Sequence, residues 1–206
     1  VGLYRTEFLF LQRHQLPNEE EQFRAYRDLV LGMNGRPVTI RTLDLGADKA
    51  DGTGVVLEGE PNPALGLRGV RLSLARLPLF ETQLRAILRA SGYGAVRILI
   101  PMLSSREEMV AVRALASSMA RDLRSEGHEI GDNVEIGAMI EVPAAAIALK
   151  GFVDQVDFVS IGTNDLVQYL LAVDRGNDAL GTLYSPLHPA VLRLLRDVSA
   201  LGIRRR

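Results

Sequence analysis

Residues 134–144 read VEIGAMIEVPA, and this stretch carries the pattern from which we predict the fold. Its first part, 134–140, is a short and mostly apolar run of the kind that forms a buried strand. Glu141 ends the run, and Pro143 begins a segment of small residues at the one helical position where its missing N–H matters little. The stretch therefore predicts a strand followed by a helix, with a carboxylate where the strand ends.

The same alternation of strand and helix recurs along the chain. Asn18 and Glu21 have the spacing of a capping box, which predicts that a helix starts there and runs to 32–35. A loop rich in Gly and acidic residues covers 44–66, a length that is usual for functional or mobile segments. The predicted strands are Gly2–Thr6, Val38–Leu43, Arg68–Leu74, Val96–Pro101, Val134–Ile140 and Phe158–Ile161. The other predicted helices are Phe80–Ala90, Ser105–Arg124, Ala144–Leu149, the segment from Asp165 to Val173, and Pro189–Leu201.

About six βα units in series predict an α/β fold with a parallel sheet, because each crossover helix returns the chain in the same direction. Eight such units close a TIM-type (β/α)8 barrel of about 250 residues. We therefore expect 1–206 to be one domain, an incomplete barrel that lacks its C-terminal part. Residue 1 is Val, which favours a piece of a longer protein.

The composition excludes several classes of protein. The chain has 206 residues, 24 of them basic and 25 acidic, and this balance argues against a nucleic-acid-binding protein. It has no Cys, which rules out disulfides and thiolate metal sites and favours the cytoplasm. No stretch approaches the roughly 18 apolar residues of a membrane span, so we expect no membrane insertion.

Polar side chains stand where the predicted strands end. Arg5 ends the first strand, Arg41 ends the second and Glu141 follows the fifth, while Asn164 and Asp165 follow the sixth. In parallel barrels the active site lies at the carboxyl ends of the strands. We therefore expect these side chains to converge.

The two acids permit two interpretations. Glu141 and Asp165 follow neighbouring strands, and Mg²⁺ is usually held by one or two carboxylates together with water and substrate phosphate oxygens. Alternatively, each acid pairs with a nearby arginine and binds no metal. The spacing alone leaves both open.

The arginines indicate an anionic ligand. A guanidinium holds phosphate or carboxylate through two parallel hydrogen bonds, and several arginines at successive strand ends repel one another unless an anion offsets their charge. Arg68 stands at the start of its predicted strand, so either that strand begins later or Arg68 reaches in from the loop. The candidates for anion binding are Arg5, Arg41, Arg68 and Arg175, with Lys49 as a further positive charge.

Two other kinds of site are not supported. His14, His128 and His188 have no Ser or acidic companion by motif, and we interpret them as structural or solvated. The glycines of 52–54 lack the Lys-Ser/Thr end of a nucleotide-binding P-loop.

Several short motifs occur in order along the chain, namely Leu3–Phe8, Arg41–Asp44, Gly46–Lys49, Asn62–Gly66, Arg68–Arg71, Glu141–Ala144, Ser160–Leu166 and Ala172–Asp178. Together they resemble the phosphoenolpyruvate-binding barrel of the Enzyme I family of the sugar phosphotransferase system, and equally its nitrogen-related paralogue. The resemblance covers nearly the whole chain. Ala47 and Val167 stand where the family has Gly and Thr.

The resemblance implies a role for each candidate residue. Glu141 and Asp165 would hold Mg²⁺, with Mn²⁺ as an alternative, and Asn164 would help bind the phosphate of phosphoenolpyruvate. The phosphoryl group would pass to a histidine on a separate N-terminal domain and then to a histidine-containing phosphocarrier protein. The family also implies a homodimer formed through this domain. The residues that would bind the phosphate and carboxylate are Arg5, Arg41, Arg68 and Arg175.

The family's catalytic groups are not in this sequence. Its proton donor is a Cys in a Gly-x-Cys-Gly-Glu segment, and its acceptor histidine is on the other domain. We therefore expect no catalytic residue in this chain and no complete phosphoryl transfer by it alone. Two alternatives stay open, namely the barrel of a pyruvate phosphate dikinase or phosphoenolpyruvate synthase, and a non-catalytic binding or dimerisation module.

Overall fold

The computed structural model describes residues 2–11, 15–46 and 60–203, and in these residues five strands form one parallel sheet. The strands lie in chain order and each pairs with the next. This arrangement confirms the α/β class and fits an incomplete TIM-type barrel. The strands are β1 (Tyr4–Arg5), β2 (Val38–Arg41), β3 (Val96–Ile100), β4 (Glu135–Ile140) and β5 (Val159–Ile161).

At least one described helix separates each strand from the next, as expected for βα units, and two helices lie between β2 and β3. The helices are α1 (Glu19–Gly32), α2 (Val70–Ala75), α3 (Leu77–Ala90), α4 (Arg106–Ser125), α5 (Pro143–Ala148), α6 (Thr163–Leu171) and α7 (Pro189–Ile203). Their bounds agree with the predicted helices to within a few residues, except for α2, for which a strand was predicted. No helix among the described residues is long and apolar enough to cross a membrane.

Side chains at the helix starts fix where α1 and α4 begin. Asn18 accepts a hydrogen bond from the Glu21 backbone at 2.9 Å, and the Glu21 carboxylate accepts one from the Asn18 backbone at 2.9 Å. This is the predicted capping box. Ser105 and Glu108 form a second one at the start of α4. Each box satisfies backbone N–H groups that the first helical turn leaves without a partner.

The core lies between the sheet and its helices. Ile40, Ile98 and Ile100 alternate with residues of the other sheet face and are fully buried in one cluster with residues of α1, α3 and α4. The strands pair in register, with Arg5 opposite Arg41, Arg41 opposite Leu99, and Ile140 opposite Ile161. Because parallel strands in register end together, the residues that follow them meet at one edge.

The predicted strand Arg68–Leu74 is wrong, because residues 70–75 form helix α2. Alternation of apolar and polar residues over so short a segment does not separate strand from helix. Gly69 precedes the helix with a φ of +56°, and a Cβ there would lie 2.6 Å from Met102 Cβ. The described residues therefore contain five strands and not about six. Arg68 lies in the loop before α2 and reaches the sheet edge from there.

The cap of α4 gives a test of this local folding. Ser105→Ala should lower the free energy of unfolding by about 1 kcal/mol, because the Glu108 N–H loses its acceptor. Ser117→Ala, on the exposed surface of the same helix, should leave stability unchanged or raise it slightly. Urea unfolding followed by circular dichroism measures both. Equal stabilities of the two variants would contradict the assigned cap.

Candidate metal and anion site

The carboxyl ends of the strands surround a cleft with a volume of about 830 Å³. All the candidate residues that the structure describes line it. Lys49 lies outside the described residues. The candidates in the cleft are Arg5, Arg41, Arg68, Glu141, Asn164, Asp165 and Arg175.

Three buried carboxylates lie together at this edge. Oxygen atoms of Asp44, Glu141 and Asp165 all lie within 4.8 Å of one another, an arrangement that could hold a metal ion. Glu141 follows β4 directly, Asp165 is in the first turn of α6 after β5, and Asp44 follows β2. Sequence analysis did not select Asp44 as a site residue. The rule that selected Glu141, an acid just past a buried strand, would have found it.

Glu141 is the most isolated of the three acids. One carboxylate oxygen accepts a hydrogen bond from the Met102 backbone at 2.7 Å, and the residue is 2% exposed. It makes no ion pair with any described residue. Burial, and then the neighbouring charge of Asp44, raise the pKa of Glu141 to about 7. Among the described residues, Glu141 therefore lacks the arginine partner that the ion-pair interpretation expected.

Asp44 and Arg68 form a two-pronged ion pair. Arg68 Nε and Nη2 donate to the two Asp44 oxygens at 3.0 and 2.8 Å, and Nη2 also donates to Asp165 Oδ2 at 3.2 Å. Burial by itself lowers the pKa of Arg68, but the hydrogen bonds and charge of Asp44 outweigh it and raise the pKa. Asp44 therefore holds a permanently charged arginine through two hydrogen bonds, and Asp165 adds a third.

Arg41 forms an ion pair with Glu7, which follows β1. Its Nη2 donates to Glu7 Oε1 at 3.0 Å, and its Nη1 lies 3.5 Å from Asp44 Oδ2. The same Glu7 oxygen accepts from the Asp44 backbone at 2.9 Å. Glu7 is a second residue that sequence analysis did not select, although it belongs to the Leu3–Phe8 motif. It fixes Arg41 and the end of β2 together.

The open side of the cleft carries the less buried groups. Arg175 Nη1 lies 3.0 Å from Asp165 Oδ1, and its side chain is 39% exposed. Asp165 Oδ1 is buried and has no hydrogen-bond partner among the described residues, so its contact with Arg175 is an ion pair alone. Arg5 and Asn164 also line the cleft and are exposed.

The described histidines lie outside the cleft. His128 Nε2 is 3.8 Å from a Glu126 oxygen, and His188 Nδ1 accepts from the Ala190 backbone at 3.2 Å. Both contacts fit the structural or solvated interpretation. His14 lies outside the described residues.

Comparison with known proteins points to one family. The family model described as "PEP-utilising enzyme, PEP-binding domain" matches residues 1–203. A protein named phosphoenolpyruvate-protein phosphotransferase from Haemophilus influenzae is 49% identical over 198 residues, which cover 96% of this chain and 34% of that protein. The protein of the same name from Cupriavidus necator is 50% identical over 209 residues, covering 98% and 36%. The chain thus spans about a third of the length of these relatives.

One solved structure supports the fold. A citrate lyase from Burkholderia xenovorans superposes with a TM-score of 0.51 at 16% identity, covering 92% of this chain and 59% of that chain. At this identity the likeness concerns the fold alone.

The raised pKa of Glu141 predicts how stability depends on pH without divalent cations. The folded chain keeps the Glu141 proton up to about pH 7, whereas an unfolded glutamate releases it near pH 4.3. The stability that the folded chain gains from keeping this proton is present in full below the unfolded pKa. It is lost as pH rises through the folded pKa. The loss amounts to about 4 kcal/mol.

Glu141→Gln should remove this contribution, because the amide has no proton to release. Urea unfolding between pH 4 and 8 with a chelator present should show the wild-type chain losing stability relative to Glu141→Gln as pH rises. Glu129→Gln, on an exposed loop, is the control and should follow the wild type. Parallel curves for wild type and Glu141→Gln would rule out a raised pKa at this carboxylate.

Proposed function

The chain belongs to the family of PEP-utilising enzymes as their PEP-binding domain, and from this premise we propose that its cleft binds phosphoenolpyruvate together with a divalent cation. We further propose that the longer protein is a phosphoenolpyruvate-protein phosphotransferase. Its phosphoryl group would move to a histidine on a separate domain and then to a histidine-containing phosphocarrier protein. The names of the relatives support this choice over a dikinase or a synthase.

The observation that carries the proposal is the charge arrangement of the cleft. Four arginines face four carboxylates, namely those of Glu7 and of the three acids that cluster. The four positive and four negative side chains balance one another, so a divalent cation would leave the cleft with an excess of positive charge. A phosphorylated carboxylic acid brings roughly three negative charges, which would offset that excess. The site is therefore suited to take up cation and anion together.

Glu141 and Asp165 are the residues that would hold the cation. Glu141 has no ion-pair partner among the described residues, and Asp165 Oδ1 is a buried oxygen without a hydrogen bond. Oxygen ligands of this kind favour Mg²⁺, with Mn²⁺ as the alternative. When bound, the cation would neutralise negative charge on the phosphoryl group and on the enolate left behind.

The arginines divide into two pairs by their surroundings. Arg41 and Arg68 are buried and held by Glu7 and Asp44, so they are oriented before a ligand arrives. Preorganised charges of this kind favour the transition state because nothing has to rotate during reaction.

The second pair lies on the open side. Arg5 and Arg175 are exposed, and Arg175 pairs with Asp165 across the cleft. Both would close onto the carboxylate or phosphate, with Asn164 beside them. A role for Lys49 in binding the same anion stays a prediction.

The remaining steps of the reaction need groups from elsewhere. The sequence has no Cys, so the acid that protonates the enolate is not a thiol of this chain. Complete phosphoryl transfer by this chain alone is therefore not expected. Dimerisation, a cytoplasmic location, and a link to sugar uptake or to nitrogen regulation stay predictions.

Calorimetry tests the binding proposal. Phosphoenolpyruvate should bind the chain with a heat that requires Mg²⁺. Arg175→Ala should weaken this binding roughly a hundredfold, about 3 kcal/mol, because a desolvated anion loses a charged partner. Arg196→Ala removes an exposed arginine far from the cleft on α7 and should change nothing. A wild-type chain that gives no Mg²⁺-dependent heat would refute the proposed function.

Electron paramagnetic resonance of free Mn²⁺ tests the metal ligands. With phosphoenolpyruvate present, Glu141→Gln and Asp165→Asn should each weaken Mn²⁺ binding by more than the roughly 10- to 100-fold typical of an outer-shell partner. Asp197→Asn, on the exposed face of α7, is the matched control. Retention of Mn²⁺ by both site variants would place the cation elsewhere.

A further inference from the structure

Tyr169 connects the cleft to the loop that precedes α2. It lies on α6 one turn after Asp165, on the same side of the helix, and is half-buried. Its hydroxyl donates to the backbone carbonyl of Ala64 and accepts from Arg68 Nη1 at 3.2 Å. Tyr169 is absent from the set of residues selected for metal or anion binding.

The contacts of Arg68 show what Tyr169 adds. A guanidinium has five N–H donors in a fixed plane. Nε and Nη2 are used by Asp44 and Asp165, and one N–H of Nη1 is used by Tyr169. Among the described residues nothing else accepts from Arg68, so a single Nη1 N–H is left for a ligand in the cleft that Arg68 lines. Without Tyr169, both Nη1 donors would lack a fixed partner.

The direction of the Tyr169 hydrogen bonds makes the arrangement specific. The phenol has one proton, and it goes to Ala64, so the oxygen lone pairs are free to accept from Arg68. Ala64 is in the single 3-10 turn Pro63–Leu65. The same hydroxyl thus fixes a turn of the loop and the arginine that follows it. Burial raises the pKa of Tyr169, which keeps the phenol protonated for this role.

We propose that Tyr169 is a positioning residue, which holds the Arg68 guanidinium against the Pro63–Leu65 turn so that one N–H is presented to a phosphate or carboxylate oxygen of the ligand. The identity of the ligand rests on the proposed function. The orientation of Arg68 is independent of the proposed function, since the contacts that orient it are within the chain.

The test compares Tyr169→Phe with Tyr93→Phe. Both remove only a hydroxyl, and Tyr93 is 51% exposed and lies away from the cleft. Calorimetry with phosphoenolpyruvate and Mg²⁺ should give a five- to twentyfold weaker affinity for Tyr169→Phe, a range set by one hydrogen bond to a charged group. Tyr93→Phe should bind as the wild type does.

A double-mutant cycle separates positioning from general damage. In the background of Arg68→Lys, which has no Nη1, Tyr169→Phe should weaken binding by less than twofold further. An equal loss in both backgrounds, or wild-type affinity of Tyr169→Phe alone, would overturn the proposal.

A measurement without ligand keeps the test independent of the proposed function. In ¹⁵N-arginine spectra of the ligand-free chain, the Arg68 Nη signals are the ones that Arg68→Lys removes. Exchange of the Nη1 hydrogens with water should be at least severalfold faster in Tyr169→Phe than in Tyr93→Phe, because Nη1 is the nitrogen that donates to the Tyr169 hydroxyl. Unchanged exchange would overturn the proposal even if phosphoenolpyruvate binds. If the wild-type chain binds no phosphoenolpyruvate, the proposed function fails, and this signal alone decides the role of Tyr169.

Discussion

The burial of Asp44, Glu141 and Asp165 within 4.8 Å of one another is the constraint on which the rest of the site depends. Like charges at this distance in a partly dry environment oppose folding unless cations or protons offset them. Arg68 offsets Asp44 and Asp165 from within the chain. In the part of the chain that the structure describes, Glu141 has no such partner, and burial together with the charge of Asp44 raises its pKa to about 7. The charge that is still missing at Glu141 is what makes the cleft suited to a cation.

The fold brings these groups together through register and not through sequence proximity. Each acid follows a different strand, and parallel strands paired in register end at one edge. Asp165 is also in the first turn of α6, where the helix dipole favours a negative charge. The capping boxes of α1 and α4 fix where these two helices begin. The parallel register of the strands is what brings residues far apart in the chain to one site.

The sequence predicted the residues at strand ends and missed the contacts between them. Arg41, Glu141 and Asp165 were found because a buried strand is a readable apolar run with a polar end. Arg68 was assigned to a strand because period-two alternation over a few residues also fits a short helix such as α2. Glu7 and Tyr169 act through side-chain partners 34 and 101 residues away, and spacing carries no signal for such pairs. The same limit explains why the spacing alone left both the metal and the ion-pair interpretations open.

Crystals of the chain grown with Mn²⁺ and phosphoenolpyruvate offer the most direct test of the central claim, because manganese has a distinctive anomalous signal. The account predicts an anomalous peak in contact with carboxylate oxygens of Glu141 and Asp165, with a phosphate oxygen of the ligand as a further neighbour. Asp44 should keep its ion pair with Arg68 and should not bind the Mn²⁺. A peak bound elsewhere on the chain, or a ligand seated in the cleft without Mn²⁺ beside these two acids, would contradict it.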